Sequence, residues 1–174
     1  MQRTLFQGFV LSLLILAAVP AAAITHNFND KLIAGTLVND GSTTRSTDDG
    51  IVYTRSGVDV YLATGNPAVI AFNLYDTGDY FTVSPALSHL AEITINHLPA
   101  SQCKNMAVQL SADGSDWTSI TPTVTYNKGS IVVVPPAEGT YYIKVRSTNG
   151  STDVSITQIS YNFGDCNCFT YTPE

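Results

Sequence analysis

Charge is scarce in this 174-residue chain. Ionisable Asp, Glu, Lys and Arg make up only 13% of it, and 14 acidic against 8 basic residues leave a formal net charge of −6. Phosphate backbones are bound chiefly by clustered Lys and Arg, so the charge balance argues against any polyanionic partner, and nucleic acid is excluded. Glutamate is rarer still, which bears on catalysis, because a glycosidase needs two carboxyl groups facing each other across the scissile bond. Glu92 falls on the outward side of a strand, Glu138 follows two prolines in a turn, and Glu174 is the last residue. The aspartates sit beside Gly, Asn or Ser, where hydrogen bonds to the local backbone account for them. Of the histidines, His26 lies in the inward register of a first strand, and His89 and His97 flank another strand at its two ends. With no Gly-x-Ser-x-Gly turn to present a nucleophile, all three read as structural, and the protein is expected not to be an enzyme.

Cysteine is also sparse: Cys103, Cys166 and Cys168 are the complete set. A bridge from Cys103 to Cys166 or Cys168 would close a loop of roughly sixty residues, for about 4 kcal/mol in the chain-entropy model. The third thiol would then be free or would pair between chains. Three soft ligands with no histidine near them in sequence make a poor zinc site.

The one long apolar run is at the amino terminus. Arg3, then FVLSLLILAA from Phe9 to Ala18, Pro20 and Ala21-Ala22-Ala23 have the layout of a cleavable export signal, with cleavage expected after Ala23. Gln7 and Ser12 interrupt the run and leave it short of a comfortable membrane span, which disfavours an uncleaved anchor. The expectation is a secreted or cell-surface protein with no membrane contact once the leader is removed. The remaining chain of roughly 150 residues suits one domain.

What is abundant is period-two alternation. Val108 and Leu110 share one side of MAVQLS; Asp113-Gly114 turns the chain toward Trp117 and Ile120; and in GTYYIKVRS, Tyr141, Ile143 and Val145 oppose Tyr142, Lys144 and Arg146. Before this hairpin come ITHNF, KLIAGTLV, the wholly polar NDGSTTRSTDDG, then IVYT, VDVYLA, AVIAFNLY, YFTVS and HLAEITINH, punctuated by Gly, Asn, Asp and Pro. SIVVV ends at Pro135-Pro136. In the last strand Val154 and Ile156 share one parity while Ile159, Tyr161 and Phe163 share the other, which predicts a bulge near Thr157 and Gln158. The pattern predicts ten or so strands and no helix: an all-β, antiparallel β-sandwich of jelly-roll type over residues 24–163, with 164–174 as a tail or linker. Val108, Leu110, Trp117, Ile143, Val145 and Ile159 are its expected core.

The run VQLSADGSDWTSI, the VVV strand and GTYYIKVRS resemble the carboxy-terminal half of galactose-binding-like jelly rolls, the group of discoidin-type domains and many carbohydrate-binding modules. Ser111, Asp113, Gly114, Trp117, Tyr142, Ile143, Lys144 and Val145 carry the resemblance. It implies a core position for Trp117, a binding rather than catalytic role, and a polysaccharide or glycan as partner. Members of the group often hold a structural calcium, for which Asp30, Asp153 and Asp165 are the candidates by position, although ordinary turn aspartates explain them better. No cofactor is expected.

A sugar site needs an aromatic ring to cover the C–H face of a pyranose and planar polar groups for its hydroxyls. Tyr53 and Arg55 at a strand end, Tyr75, Asp76 and Tyr80 around the TGD turn, and Tyr126, Asn127 and Lys128 before SIVVV are the candidates. Outward Tyr142 and Arg146 offer a sheet face instead. Stacking is expected to dominate, so affinity should be insensitive to salt. The competing expectation is a structural or adhesive module of a surface assembly with no small ligand.

Overall fold

A computed structural model describes residues 23–28, 44–63, 69–98, 105–121, 123–125, 129–150 and 154–164. Residues 1–22 of the expected leader, the strand expected over KLIAGTLV, the cysteines, Tyr126, Asn127, Lys128, Asp30, Asp153, Asp165 and the tail from 165 lie outside the described residues, whereas Ala23, the last residue of the expected leader, opens β1.

The fold class is the one expected from the sequence, an all-β antiparallel sandwich, helix-free among the described residues. Twelve strands form it: β1 Ala23–Asn27, β2 Thr44–Ser46, β3 Val52–Ser56, β4 Asp59–Ala63, β5 Val69–Leu74, β6 Tyr80–Leu98, β7 Met106–Ser111, β8 Thr118–Ile120, β9 Thr123–Thr125, β10 Ser130–Val133, β11 Gly139–Ser147 and β12 Val154–Phe163.

β6 organises the rest. Sequence divides it into YFTVS and HLAEITINH, whereas the structure makes one 19-residue strand that serves both sheets. Its first half pairs with β3 and β11, giving a first sheet in the order β2-β3-β6-β11-β7-β8. Its second half pairs with β10 and β12, giving a second sheet in which β9 and β10 lie on one side of β6 and β12 on the other, flanked by β1 and by the β5-β4 pair. The change of sheet falls around Pro85 to His89, where the β11 pairing shifts register and His89 takes φ 55. The inward residues Phe81, Val83, Leu87, Ile93 and Ile95 share one parity, and Leu90, between the register shifts of the corner, departs from it. A strand that switches sheets at an irregular corner closes one side of a sandwich without leaving an edge there.

Inward rows follow from pairing. Arg55, Phe81, Val145, Val108 and Ile120 stand side by side across the first sheet, as do Tyr53, Val83, Ile143 and Leu110. Ile131, Ile95, Ile159 and His26 form a matching row on the second sheet. The layers meet through aromatic rings: Phe28 is stacked on Phe72 at 4.3 Å, and both contact Tyr53 and Phe81 of the opposite layer edge-on. Val108, Leu110, Ile143, Val145 and Ile159 are buried as expected. The predicted bulge is present as the register shift between Ile156 and Gln158, which leaves the Thr157 carbonyl to accept the Phe28 N–H at 2.9 Å. NDGSTTRSTDDG is less of a loop than its polarity suggests, because Thr44–Ser46 pairs with Val52–Thr54 as a hairpin.

Candidate functional site

The β7-β8 turn is built by short polar side chains. The Ser111 hydroxyl accepts the Gly114 N–H at 2.9 Å and donates to Asp113 Oδ1 at 2.8 Å, and the same Asp113 oxygen accepts the N–H groups of Ser115 and Asp116 at 2.8 and 2.9 Å. The Asp116 and Ser115 amides, with the Ser111 hydroxyl, hold the fully exposed Asp113 carboxyl well below the usual carboxylate range. Gly114, at φ 80, permits the left-handed step and lets the Tyr142 ring lie against it. This turn delivers Trp117 to the outer face of the first sheet.

Trp117 is therefore not a core plug. It is half-buried, with the ammonium of Lys144 4.0 Å from its ring centroid. The reason is parity: Ile120 faces the core opposite Val108, Ser119 faces outward opposite Gln109, and Trp117, two residues before Ser119, shares its side. Lys144 also lies over Tyr80, at 5.1 Å. Trp117, Lys144 and Tyr80 thus form a line across the outer face, with Tyr142 and Arg146 before and after Lys144 on β11. All five are half-buried. The cross-strand neighbours of Lys144 are Thr82 and Gln109, and those of Arg146 are Tyr80 and Ala107. Burial, then the charge of Arg146, lower the pKa of Lys144. Among the described residues neither cation makes a salt bridge, and the hidden Nε of Arg146 has no hydrogen-bond partner.

The other residues singled out from the sequence are dispersed. Tyr53 and Arg55 do not sit at an open strand end: β3 continues to Ser56, and its inward side carries both. Tyr53 is 0% exposed, with its hydroxyl 2.7 Å from His26 Nδ1 and 2.9 Å from the Tyr161 hydroxyl. Arg55 is 8% exposed, donates from Nη1 to the Val58 carbonyl at 3.1 Å and lies over the Phe72 ring. Neither is a solvent-facing sugar platform. Tyr75 is 53% exposed at the end of the sandwich, and its N–H and that of Asp76 donate to Asp79 Oδ2 at 3.0 and 2.7 Å. Tyr80, in the same stretch, belongs to the outer-face line.

Two further features stand apart from this line. A cleft of about 400 Å³ opens beside the β7-β8 turn, walled by Pro136 and Tyr141 with Asp113 and Asp116 at its rim. Tyr141, expected inward, is partly buried against the core and donates from its hydroxyl to the Ala137 carbonyl at 3.1 Å. Between the sheets, His26 Nε2 meets Asp49 Oδ2 at 2.9 Å and continues through Tyr53 to Tyr161. The order carboxylate, imidazole, hydroxyl has the connectivity of a nucleophile relay, but the hydroxyls are phenolic and enclosed. Burial holds the Tyr53 pKa well above its ordinary value and raises that of Tyr161 likewise, so no substrate meets an activated oxygen there. Burial would raise the Asp49 carboxyl, yet hydrogen bonds from Thr47, His26 and the Ile51 amide bring it below its ordinary value. Among the described residues no three His, Cys, Asp or Glu side chains are grouped to hold a metal ion.

No protein-family model matches the chain, and no curated protein matches it in sequence. Solved structures similar in shape include a low-affinity xylan-binding module, CBM86, from Roseburia intestinalis, at 10% identity and TM-score 0.42, covering 65% of this chain and 95% of the module. A family two carbohydrate esterase from Cellvibrio japonicus is similar at 12% identity and TM-score 0.40, over 88% of this chain and 36% of the esterase. The K2 cleaved adhesin domain of Lys-gingipain is similar at 18% identity and TM-score 0.47, over 80% of this chain and 99% of that domain. All three scores are below 0.5.

Proposed function

We propose that this protein is a non-catalytic carbohydrate-binding module of an exported protein, and that it engages its glycan on the outer face of the first sheet. The observation that carries the reading is the line Trp117, Lys144, Tyr80. It places two half-exposed aromatic rings on a rigid sheet, with the amide of Gln109 and the hydroxyls of Thr82 and Ser119 in neighbouring outward positions. Rings supply cover for the C–H face of a sugar, and planar or hydroxylic side chains supply directional hydrogen bonds. Tyr80 and Lys144 stand on strands, which hold side chains more closely than loops do, and Trp117 directly precedes β8. Affinity in the range of about micromolar to millimolar is expected for a shallow site of this size.

Retention of the protein on a panel of insoluble polysaccharides tests the reading, with Trp117→Ala and Tyr80→Ala beside Tyr75→Ala and Tyr126→Ala. Loss of retention in the first pair supports the outer face. Loss only in the second pair moves the site to the loops. If no glycan retains the parent, carbohydrate binding is wrong, and the structural or adhesive module takes its place.

A further inference from the structure

Resting on that reading, we infer that the glycan is an anionic one, whose carboxylate or sulfate groups are received by Lys144 and Arg146 while Trp117 and Tyr80 flank the sugar ring. Lys144 and Arg146 are two residues apart on β11 and project from the same outer side, so they stand about 6 to 7 Å apart along the strand. Like charges so placed repel, and burial adds to the cost of keeping Lys144 charged.

The Trp117 and Tyr80 ring faces offset part of that cost at Lys144, but no carboxylate stands across from either cation. Every cross-strand neighbour of the two cations on β6 and β7 is uncharged: Thr82, Gln109, Tyr80 and Ala107. This holds in a chain with 14 acidic residues against 8 basic ones, where carboxylates are the commoner ion. The paired ions of the described residues are elsewhere, at His26–Asp49 and His89–Glu138. Two cations with no salt bridge among the described residues, on one face of an otherwise acidic protein, are complementary to an anionic polymer, and the acidic remainder would turn such a polymer away from other faces.

The rings point the same way. Lys144 lies over the Trp117 ring, so a neutral pyranose stacking on that side would have to displace a cation–π contact and gain no counter-charge. An anionic sugar keeps the ammonium in place and bonds to it. Arg146 adds a planar fork suited to two oxygens of a carboxylate or sulfate, with no competing salt bridge among the described residues. Ion pairing thus replaces the salt-insensitive stacking expected from the sequence, and the two local cations, rather than the net charge of −6 that argued against a polyanion, set the sign of the partner.

The test uses the whole chain in affinity electrophoresis and calorimetry with matched polymers: polygalacturonate against its fully methyl-esterified form, and dextran sulfate against dextran. Binding to at least one charged polymer is expected to exceed its neutral counterpart by about tenfold or more and to fall steeply between about 0.05 and 0.5 M salt. Lys144→Gln and Arg146→Gln should each remove most of it, and Lys144→Arg should restore it, with unchanged melting temperatures showing that the sheet is intact. Preference for polygalacturonate or for dextran sulfate tells a carboxylate ligand from a sulfate. Equal, salt-insensitive binding to charged and neutral polymers overturns the inference and leaves carbohydrate binding standing, whereas binding to none overturns both. Charge-selective binding that survives both Gln variants also overturns it, by placing recognition elsewhere.

Discussion

The hydroxyls of Tyr53 on β3 and Tyr161 on β12 meet 2.9 Å apart between the two sheets, joining residues 108 positions apart in the chain. His26 on β1 completes the cluster from the same layer as Tyr161, and Asp49 closes it from the β2-β3 turn. Buried hydroxyls are tolerated in a core only when bonded, so this network specifies how the layers sit on one another.

Replacing Tyr53 by Phe keeps the ring and removes the shared hydroxyl, leaving His26 Nδ1 and the Tyr161 hydroxyl each short of a partner. A loss of about 1–3 kcal/mol is expected in urea unfolding. A change within experimental scatter would show that the hydroxyls contribute nothing beyond their rings.

Acid should destabilise the fold through Asp49 and Asp113. Both carboxyls are held below their ordinary value in the folded protein, so each contributes stability that is complete above the unfolded carboxylate pKa and is lost as pH falls through the folded one. Melting temperature should therefore decline from about pH 4 downward. Asp113→Asn should flatten part of that decline, and a parallel curve for the variant would count against the turn.

At the alkaline end the sign reverses. The Tyr53 and Tyr161 hydroxyls are raised by burial, so the folded state keeps protons that the unfolded state releases above about pH 10. Stability should fall as pH rises beyond that point. Tyr161→Phe should be less stable at neutral pH but show a shallower alkaline loss, measured by chemical unfolding at several pH values.

Trp117→Ala should cost well under the 3–5 kcal/mol typical of a buried aromatic, and less than Ile143→Ala, expected at about 2–5 kcal/mol. Ile143 is wholly buried between Val83 and Leu110, whereas Trp117 packs against a lysine on the outer face. Equal costs from paired denaturation curves would return Trp117 to the core.

Gly57→Ala should be harsher than Gly78→Ala. Both glycines have positive φ, at 72 and 101, but a Cβ on Gly57 would lie 2.1 Å from Asp79 Oδ1, while one on Gly78 meets nothing within 4 Å. Gly78→Ala carries only backbone strain, on the order of 1 kcal/mol, and Gly57→Ala adds displacement of the carboxylate that holds the turn bearing Tyr75. Thermal melts of the two variants make the comparison, and equal shifts would sink it.

Local chemistry alone determined a good deal of this protein. Alternation at Val108, Leu110, Ile143 and Val145 reports which side of a strand is apolar, the phase change after Ile156 reports the bulge at Thr157, and Ser111, Asp113 and Gly114 report the turn, because each depends on neighbours a few residues away. Even the outward side of Trp117 was legible, in its parity against Ile120. Tertiary pairing decided the rest. Whether Tyr53 and Arg55 face solvent depends on β3 running on to Ser56 alongside β6; whether YFTVS and HLAEITINH are one strand depends on two sheets sharing it; and whether Asp49 is a loop residue or a partner of His26 depends on where β1 lies. The line Trp117, Lys144, Tyr80 is drawn from the β7-β8 turn, β11 and β6, brought together by the pairing of the first sheet. Alternation tells a residue which way to face, and only hydrogen-bonded register tells it whom it stands beside.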